Sequence, residues 1–120
     1  MKMRVSFDLD GTAWRYRRFF TELAVTLQGA GHEVGVLTAH AEDLAAADLR
    51  LWRARGFPEP DFFYNQADIR KAVPDEHDLR TRKVLAAATF RIDCHIDDFD
   101  DRHPGELELV LIGQRDESRE

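Results

Sequence analysis

Met3-Arg4-Val5-Ser6-Phe7-Asp8-Leu9-Asp10-Gly11-Thr12 is the stretch that decides how the remainder of the chain is read. Residues 3–7 are short and β-compatible, and they stop where two aspartates and a glycine turn the chain polar, which predicts a strand followed by a loop. Downstream, Phe19, Leu23 and Leu27, with Phe20 and Ala24 beside them, recur at helical spacing, and Gly29 and Gly31 end the run. Residues 34–37 form a second apolar strand, ending at Thr38-Ala39-His40. A second helix spans residues 43–55, with Ala45, Leu49 and Trp52 on one face and Gly56-Phe57-Pro58 as its stop.

The second half continues the alternation. Residues 61–64 are a short aromatic strand, and 65–78 a polar connector broken by Pro74. Residues 79–89 are a third helix with Leu79, Val84, Ala87 and Ala88 inward, and 92–96 a strand that meets Asp97-Asp98. Pro104-Gly105 interrupts the chain, 107–112 is a last strand, and 115–120 a frayed tail after a domain covering 1–114. Strands alternating with helices predict an α/β fold, a Rossmann-like three-layer sandwich around a parallel sheet of about five strands.

Length and composition agree with one domain. The 120 residues carry 17 basic and 23 acidic side chains, a formal charge of −6. A chain of this size buries roughly 65% of its unfolded surface, enough for one core without disulfides. The charged share of 33% and apolar share of 43% fit neither a disordered nor a membrane protein. The single cysteine, Cys94, offers no disulfide framework, and the amino terminus shows no signal-peptide core, so a cytoplasmic, reducing location is expected. The negative balance argues against broad nucleic-acid or membrane binding, although Arg15, Arg17 and Arg18 crowd together.

In a parallel α/β sheet, ligands sit at the carboxyl ends of the strands. Three of the expected strands end there in Asp8 with Asp10, in Thr38, and in Asp97 with Asp98. Four carboxylates near one edge repel unless a cation or protonation offsets their charge, and Mg²⁺ suits one or two carboxylates plus phosphate oxygens. The Thr38 hydroxyl and the Lys83 ammonium are the donors that a phosphoryl group's outer oxygens need. Together these parts describe a phosphoryl-transfer site.

Asp8-Leu9-Asp10-Gly11-Thr12, Val36-Leu37-Thr38, Lys83 and Ile96-Asp97-Asp98, in that order, resemble the four motifs of the haloacid dehalogenase superfamily of phosphatases. The stretch from Leu37-Thr38-Ala39 through Trp52 to Gly56-Phe57-Pro58 further resembles the capless branch that includes polynucleotide kinase phosphatase domains. The resemblance implies catalytic Asp8, Asp10, Thr38 and Lys83, with Asp8 the nucleophile that forms an aspartyl-phosphate and Asp10 the acid and then base. It implies Mg²⁺ held by Asp8, the backbone carbonyl of Asp10 and the Asp97/Asp98 pair, one of them directly and the other through water. It places Gly11, Thr12, Ala39 and His40 around the substrate, Gly11 permitting the tight turn and Thr12 tying down the loop.

The expected activity is therefore hydrolysis of a phosphomonoester, with a nucleotide or nucleic-acid end among the candidate substrates and the protein a monomer or weak homodimer. Two departures stand out. Only about eight residues separate Asp98 from Leu107 where relatives carry a further helix, so the Asp93/His95/Asp97 face of the fourth strand is expected to be thinly covered. His40 stands where relatives of the polynucleotide branch often have arginine. Neither Thr12 to Thr38 nor Tyr64 to Lys83 leaves room for a folded cap, so an open site is expected, rimmed by Trp14, Arg15, Arg17, Arg18, His40 and residues 65–78.

Competing readings fit less well. A calcium loop starting at Asp8 would need glycine at Ala13 and glutamate at Phe19. Cys94 and His95 point to opposite faces of a strand and do not share a metal easily, Gly29-Ala30-Gly31 follows a helix rather than a strand, and Ser6 lies inside the first strand. A receiver-like regulatory module would carry its phosphoacceptor on the third strand, which here ends at Tyr64-Asn65. A catalytically weak, phosphate-binding relative is the remaining alternative.

Overall fold

The computed structural model describes residues 1–99 and 106–113. Strand β1 is Arg4–Phe7, and the chain leaves it through a kinked turn at Leu9–Ala13, in which Asp10 is extended (ψ 136°) and Gly11 left-handed (φ 72°), before helix α1, Arg17–Gly29. Strand β2, Glu33–Leu37, leads through a short turn at Glu42–Leu44 into α2, Ala45–Ala54. Strand β3 is only Phe63–Tyr64; α3, Gln66–Ala72, and α4, Leu79–Thr89, follow, then β4, Cys94–Asp97, and β5, Glu108–Leu111.

The five strands form one sheet in the order β3-β2-β1-β4-β5. β1, β2, β3 and β4 run parallel, with Val5 opposite Val34 on one side and Cys94 on the other. β5 departs from the expected all-parallel sheet: it pairs antiparallel with β4, Ile96 opposite Leu109 and Cys94 opposite Leu111. The physical reason is chain length, because residues 98–107 are too few to cross back over the sheet and start a parallel strand.

Alternation along the strands divides the core in two. Val5, Phe7, Val34, Val36, Cys94 and Ile96 face one way and pack on Phe20 and Ala24 of α1 and Trp52 of α2. Leu37 faces the other way, with Ile69 of α3, Ala86 and Ala87 of α4, Ile92 and Ile112. Helices therefore cover both faces, as a parallel sheet requires. On the first side Trp52 stacks on Phe57 at 4.0 Å and its indole N–H donates to the Pro58 carbonyl at 2.7 Å, which fixes the end of α2. Gly35 lets β3 approach: a Cβ there would lie 2.6 Å from Phe62 Cγ.

Three further expectations are corrected. The connector 65–78 contains α3, started by a capping box in which the Asn65 side chain accepts from the Ala67 and Asp68 amides while Asp68 accepts from the Asn65 amide. On α4 the inward residues include Lys83 and Ala86, whereas Ala88 is exposed because the sheet lies a third of a turn away. The face carrying His95 and Asp97 is not thinly covered. Ser6, His95 and Asp97 are fully buried and hydrogen-bonded, and Lys83 of α4 reaches in over them. On the sheet, exposed apolar side chains sit on the opposite face, at Leu109 and Leu111 of β5. The expected break at Pro104-Gly105 and the expected tail 115–120 lie outside the described residues.

No helix among the described residues is long and apolar enough to cross a membrane.

Candidate active site

The chain runs β1, β2, β3 outward in one direction and then returns to place β4 on the other side of β1. The carboxyl ends of β1 and β4 thus border the point where the strand order reverses, where open α/β sheets leave a crevice. Asp8 and Asp10 follow β1, Thr38 and His40 follow β2, Asp97 ends β4 and Asp98 follows it. A cleft of about 220 Å³ opens there, lined by Asp8, Asp10, Thr38, Ala39, His40, Leu79, Lys83 and Asp98.

Lys83 organises its floor. The side chain is 2% exposed, and Nζ donates to Asp8 Oδ1 at 3.0 Å and to Asp97 Oδ2 at 2.6 Å. Burial disfavours the ammonium, but the charges of Asp8 and Asp97 outweigh burial and hold Lys83 above its usual value. Asp8 moves the other way: burial, reinforced by the charge of Asp97 and only partly offset by Lys83, pushes its carboxyl up to about 7. Asp97 is also buried, yet the hydrogen bond from His95 and the charge of Lys83 prevail and keep it well below the carboxylate range.

Asp97 is held on every side. Its Oδ2 accepts from Lys83 and from His95 Nε2 at 2.7 Å, and its Oδ1 accepts from the Phe99 amide at 2.7 Å. Burial keeps His95 below its usual value, so the neutral ring donates from Nε2 while Nδ1 accepts from the Ser6 hydroxyl at 2.6 Å. Ser6, His95 and Asp97 have the connectivity of a hydrolytic triad, but Ser6 is fully buried and meets no substrate. Phe99 adopts the left-handed region, φ 45°, in delivering its amide to Asp97.

Asp98 is differently placed. It lines the cleft, its amide donates to Thr12 Oγ1 at 3.2 Å, and it packs on the α-carbon of Gly11, which has φ 72°. Oxygens of Asp8, Asp97 and Asp98 lie within 4.8 Å of one another. Hard carboxylate oxygens of this kind fit a small divalent cation such as Mg²⁺.

All of Asp8, Asp10, Thr38, Ala39, His40, Lys83 and Asp98 come together as the sequence leads one to expect. Gly11 and Thr12 do not line the cleft: both sit behind it, Thr12 fully buried as the tie between the first loop and Asp98. Cys94 and His95 point to opposite faces, and burial pushes the Cys94 thiol up to about 11, which leaves it unreactive. Two residues escaped the sequence reading. Leu79 lines the cleft, and Asp48 on α2 is nearly buried, 2.9 Å from His40 Nδ1. Asp48 lies four residues before Trp52, on the stripe that faces the core, and an acid on such a stripe is the signal that marks it.

His40 joins two acids. Nε2 lies 2.6 Å from Asp10 Oδ2, and Nδ1 faces Asp48. Burial opposes a charge on the ring, but the hydrogen bonds to Asp10 and Asp48 exceed that effect and hold His40 above its usual value. The fold and cleft define a single α/β domain with a mostly parallel five-stranded sheet and an acidic crevice at its switch point. Comparison with protein-family models, curated proteins and solved structures finds no match.

Proposed function

We propose that the chain is a Mg²⁺-dependent phosphomonoester hydrolase of the haloacid dehalogenase type, working through an aspartyl-phosphate on Asp8. The observation that carries this reading is Lys83 Nζ, buried between Asp8 and Asp97 on the floor of a cleft that also receives Asp10, Thr38 and Asp98. A buried lysine aimed at two carboxylates orients one as a nucleophile and leaves the other as a fixed counter-charge. It also supplies positive charge where phosphate oxygens gather.

In this reading an Asp8 oxygen attacks phosphorus, the bond from phosphorus to the leaving oxygen breaks, and Asp10 gives that oxygen a proton. Water then attacks the aspartyl-phosphate, Asp10 takes its proton, and inorganic phosphate leaves with Asp8 restored. The Thr38 hydroxyl and Lys83 face the transferring phosphoryl oxygens. A bound Mg²⁺ supplies charge neutralisation and favours the ionised form of Asp8, which burial alone opposes. Asp8, the carbonyl of Asp10 and Asp98 are the residues that would hold it, Asp98 rather than Asp97 directly. Asp97 is fully buried and already accepts three hydrogen bonds.

The cleft is smaller than the roughly 300 Å³ at which pockets begin to enclose a drug-sized ligand. Residues 13–37 are taken up by α1 and β2, and residues 65–82 by α3 and the start of α4, so neither stretch carries a cap. A phosphoryl group fits inside while the remainder of the substrate lies outside, which favours bulky or polymeric phosphoesters. Arg15, Arg17 and Arg18, expected at the rim, do not line the cleft and instead border a separate shallow hollow with Tyr16, Phe19 and Glu22.

The test is phosphate release, with and without Mg²⁺, from a phosphorylated oligonucleotide, a phosphopeptide and several small phosphates. Acid quenching during turnover is expected to trap one phosphoryl group on Asp8, seen by mass spectrometry. Release that ignores Mg²⁺ or survives Asp8→Asn would overturn the reading.

A further inference from the structure

Asp10 reaches into solvent, its side chain 74% exposed, and among the described residues its one side-chain hydrogen bond is to His40. His40 in turn is anchored. Its amide donates to Thr38 Oγ1 at 3.2 Å, its carbonyl accepts from the Gln66 amide at 2.9 Å, and its ring meets the nearly buried Asp48. Asp48 rides on α2, whose Trp52 is locked into the core. A continuous line of contacts therefore joins the rigid interior to a carboxylate at the cleft mouth.

We propose that His40, clamped by Asp48, is a positioning residue that fixes the Asp10 carboxyl over the Asp8 cleft. The proposal rests on the phosphatase reading and goes beyond it by adding Asp48, which the catalytic steps do not use. An exposed aspartate is free to sample its rotamers, and a misplacement of about 1 Å at a proton-transferring group is enough to slow a reaction about a hundredfold. One hydrogen bond from an anchored ring removes that freedom before substrate arrives. A structural tie between α2 and the loop after β2 would need only the Asp48–His40 half of the chain. The 2.6 Å contact with Asp10 on the other ring nitrogen is what a purely structural tie leaves unexplained.

The role has a specific signature. Protonating the leaving oxygen matters for an alkyl phosphate, whose alkoxide is a poor leaving group, and hardly at all for nitrophenyl phosphate. Single-turnover transfer to Asp8 is measured with both esters in the Mg²⁺-loaded protein. His40→Ala is expected to slow transfer from the alkyl ester about tenfold or more, and from nitrophenyl phosphate by no more than about threefold. Asp48→Asn follows in the same direction with a smaller effect. In an Asp10→Asn background, His40→Ala is expected to add less than about twofold, since there is no longer a carboxyl to position. His40→Gln, which fills the same space, serves if the alanine variant does not fold.

Equal slowing with both esters, or a full His40 effect that persists without Asp10, overturns the positioning role and leaves the phosphatase reading standing. A wild-type protein that transfers no phosphoryl group from either ester overturns both.

Discussion

Gly11 and Asp98 come together from opposite ends of the chain so closely that a Cβ on Gly11 would lie 2.7 Å from Asp98 Cγ and closer still to its Oδ2. Gly11 also has φ 72°, a backbone that side chains rarely adopt. Gly11→Ala is therefore expected to displace the Asp98 carboxylate as well as strain the loop by about 1 kcal/mol or more. The Mg²⁺ concentration for half-maximal activity should rise by about tenfold, while circular dichroism reports a folded chain. Unchanged Mg²⁺ dependence would remove Asp98 from the proposed metal site.

Asp8→Asn and Asp10→Asn should each reduce phosphate release by about a hundredfold or more, for different reasons. On the phosphatase reading, asparagine at 8 removes the nucleophile and a metal ligand, whereas at 10 only the proton-transferring group is lost because there the backbone carbonyl would serve the metal. Calorimetric titration with Mg²⁺ is expected to show weaker binding for the first variant and near wild-type binding for the second. The reverse pattern would exchange their roles.

The raised Asp8 carboxyl has a consequence for stability. Its value is about 7 in the fold against 3.8 when unperturbed, so between those pH values the folded protein binds the extra proton. The contribution of Asp8 is present below about pH 4 and lost as pH rises toward 7, on the order of a few kcal/mol at most. Asp97, held low, acts oppositely: its contribution is present above about pH 4 and lost in acid. In metal-free protein, Asp8→Asn should therefore raise Tm by several degrees at pH 7.5 and have little effect at pH 4. Mg²⁺ is expected to narrow the difference at pH 7.5, and scanning calorimetry at the two pH values decides it.

Trp52 joins α2 to the core through its stack on Phe57 and its hydrogen bond to the Pro58 carbonyl. Trp52→Ala is expected to cost about 3–5 kcal/mol in urea unfolding, and Trp52→Phe, which keeps a ring but loses the donor, about 1–2 kcal/mol. Because Asp48 shares the same helix, the alanine variant should also loosen the grip on His40. A cost below about 1 kcal/mol for Trp52→Ala would mean that α2 is held some other way.

Some elements that differ from expectation carried a legible signal. Asn65 three residues before Asp68 is a capping box, and α3 follows from it, while Pro74 lies beyond the helix and does not interrupt it. The ten residues 98–107 are likewise too few for a crossover helix, which already implies an antiparallel β5. The burial of His95 was of another kind. Its strand alternation put it beside Asp93 and Asp97 on a polar face, and nothing local told that α4 would bring Lys83 over that face and turn it into a closed network.

By itself the sequence determined that Asp8, Asp10, Thr38, His40 and Asp98 gather at one edge of the sheet. Apolar strands of four or five residues alternating with amphipathic helices leave one economical arrangement, a parallel sheet, and that arrangement carries the residues after β1, β2 and β4 to the same edge. Only the tertiary structure decided what each of them is held by. Asp97 and Asp98 are chemically identical neighbours, yet one is sealed beneath Lys83 and His95 while the other opens into the cleft. Asp10 is tied to Asp48 through a ring thirty residues from one and eight from the other. Periodicity describes an element along its own axis, whereas burial and partnership depend on which elements come to lie across it.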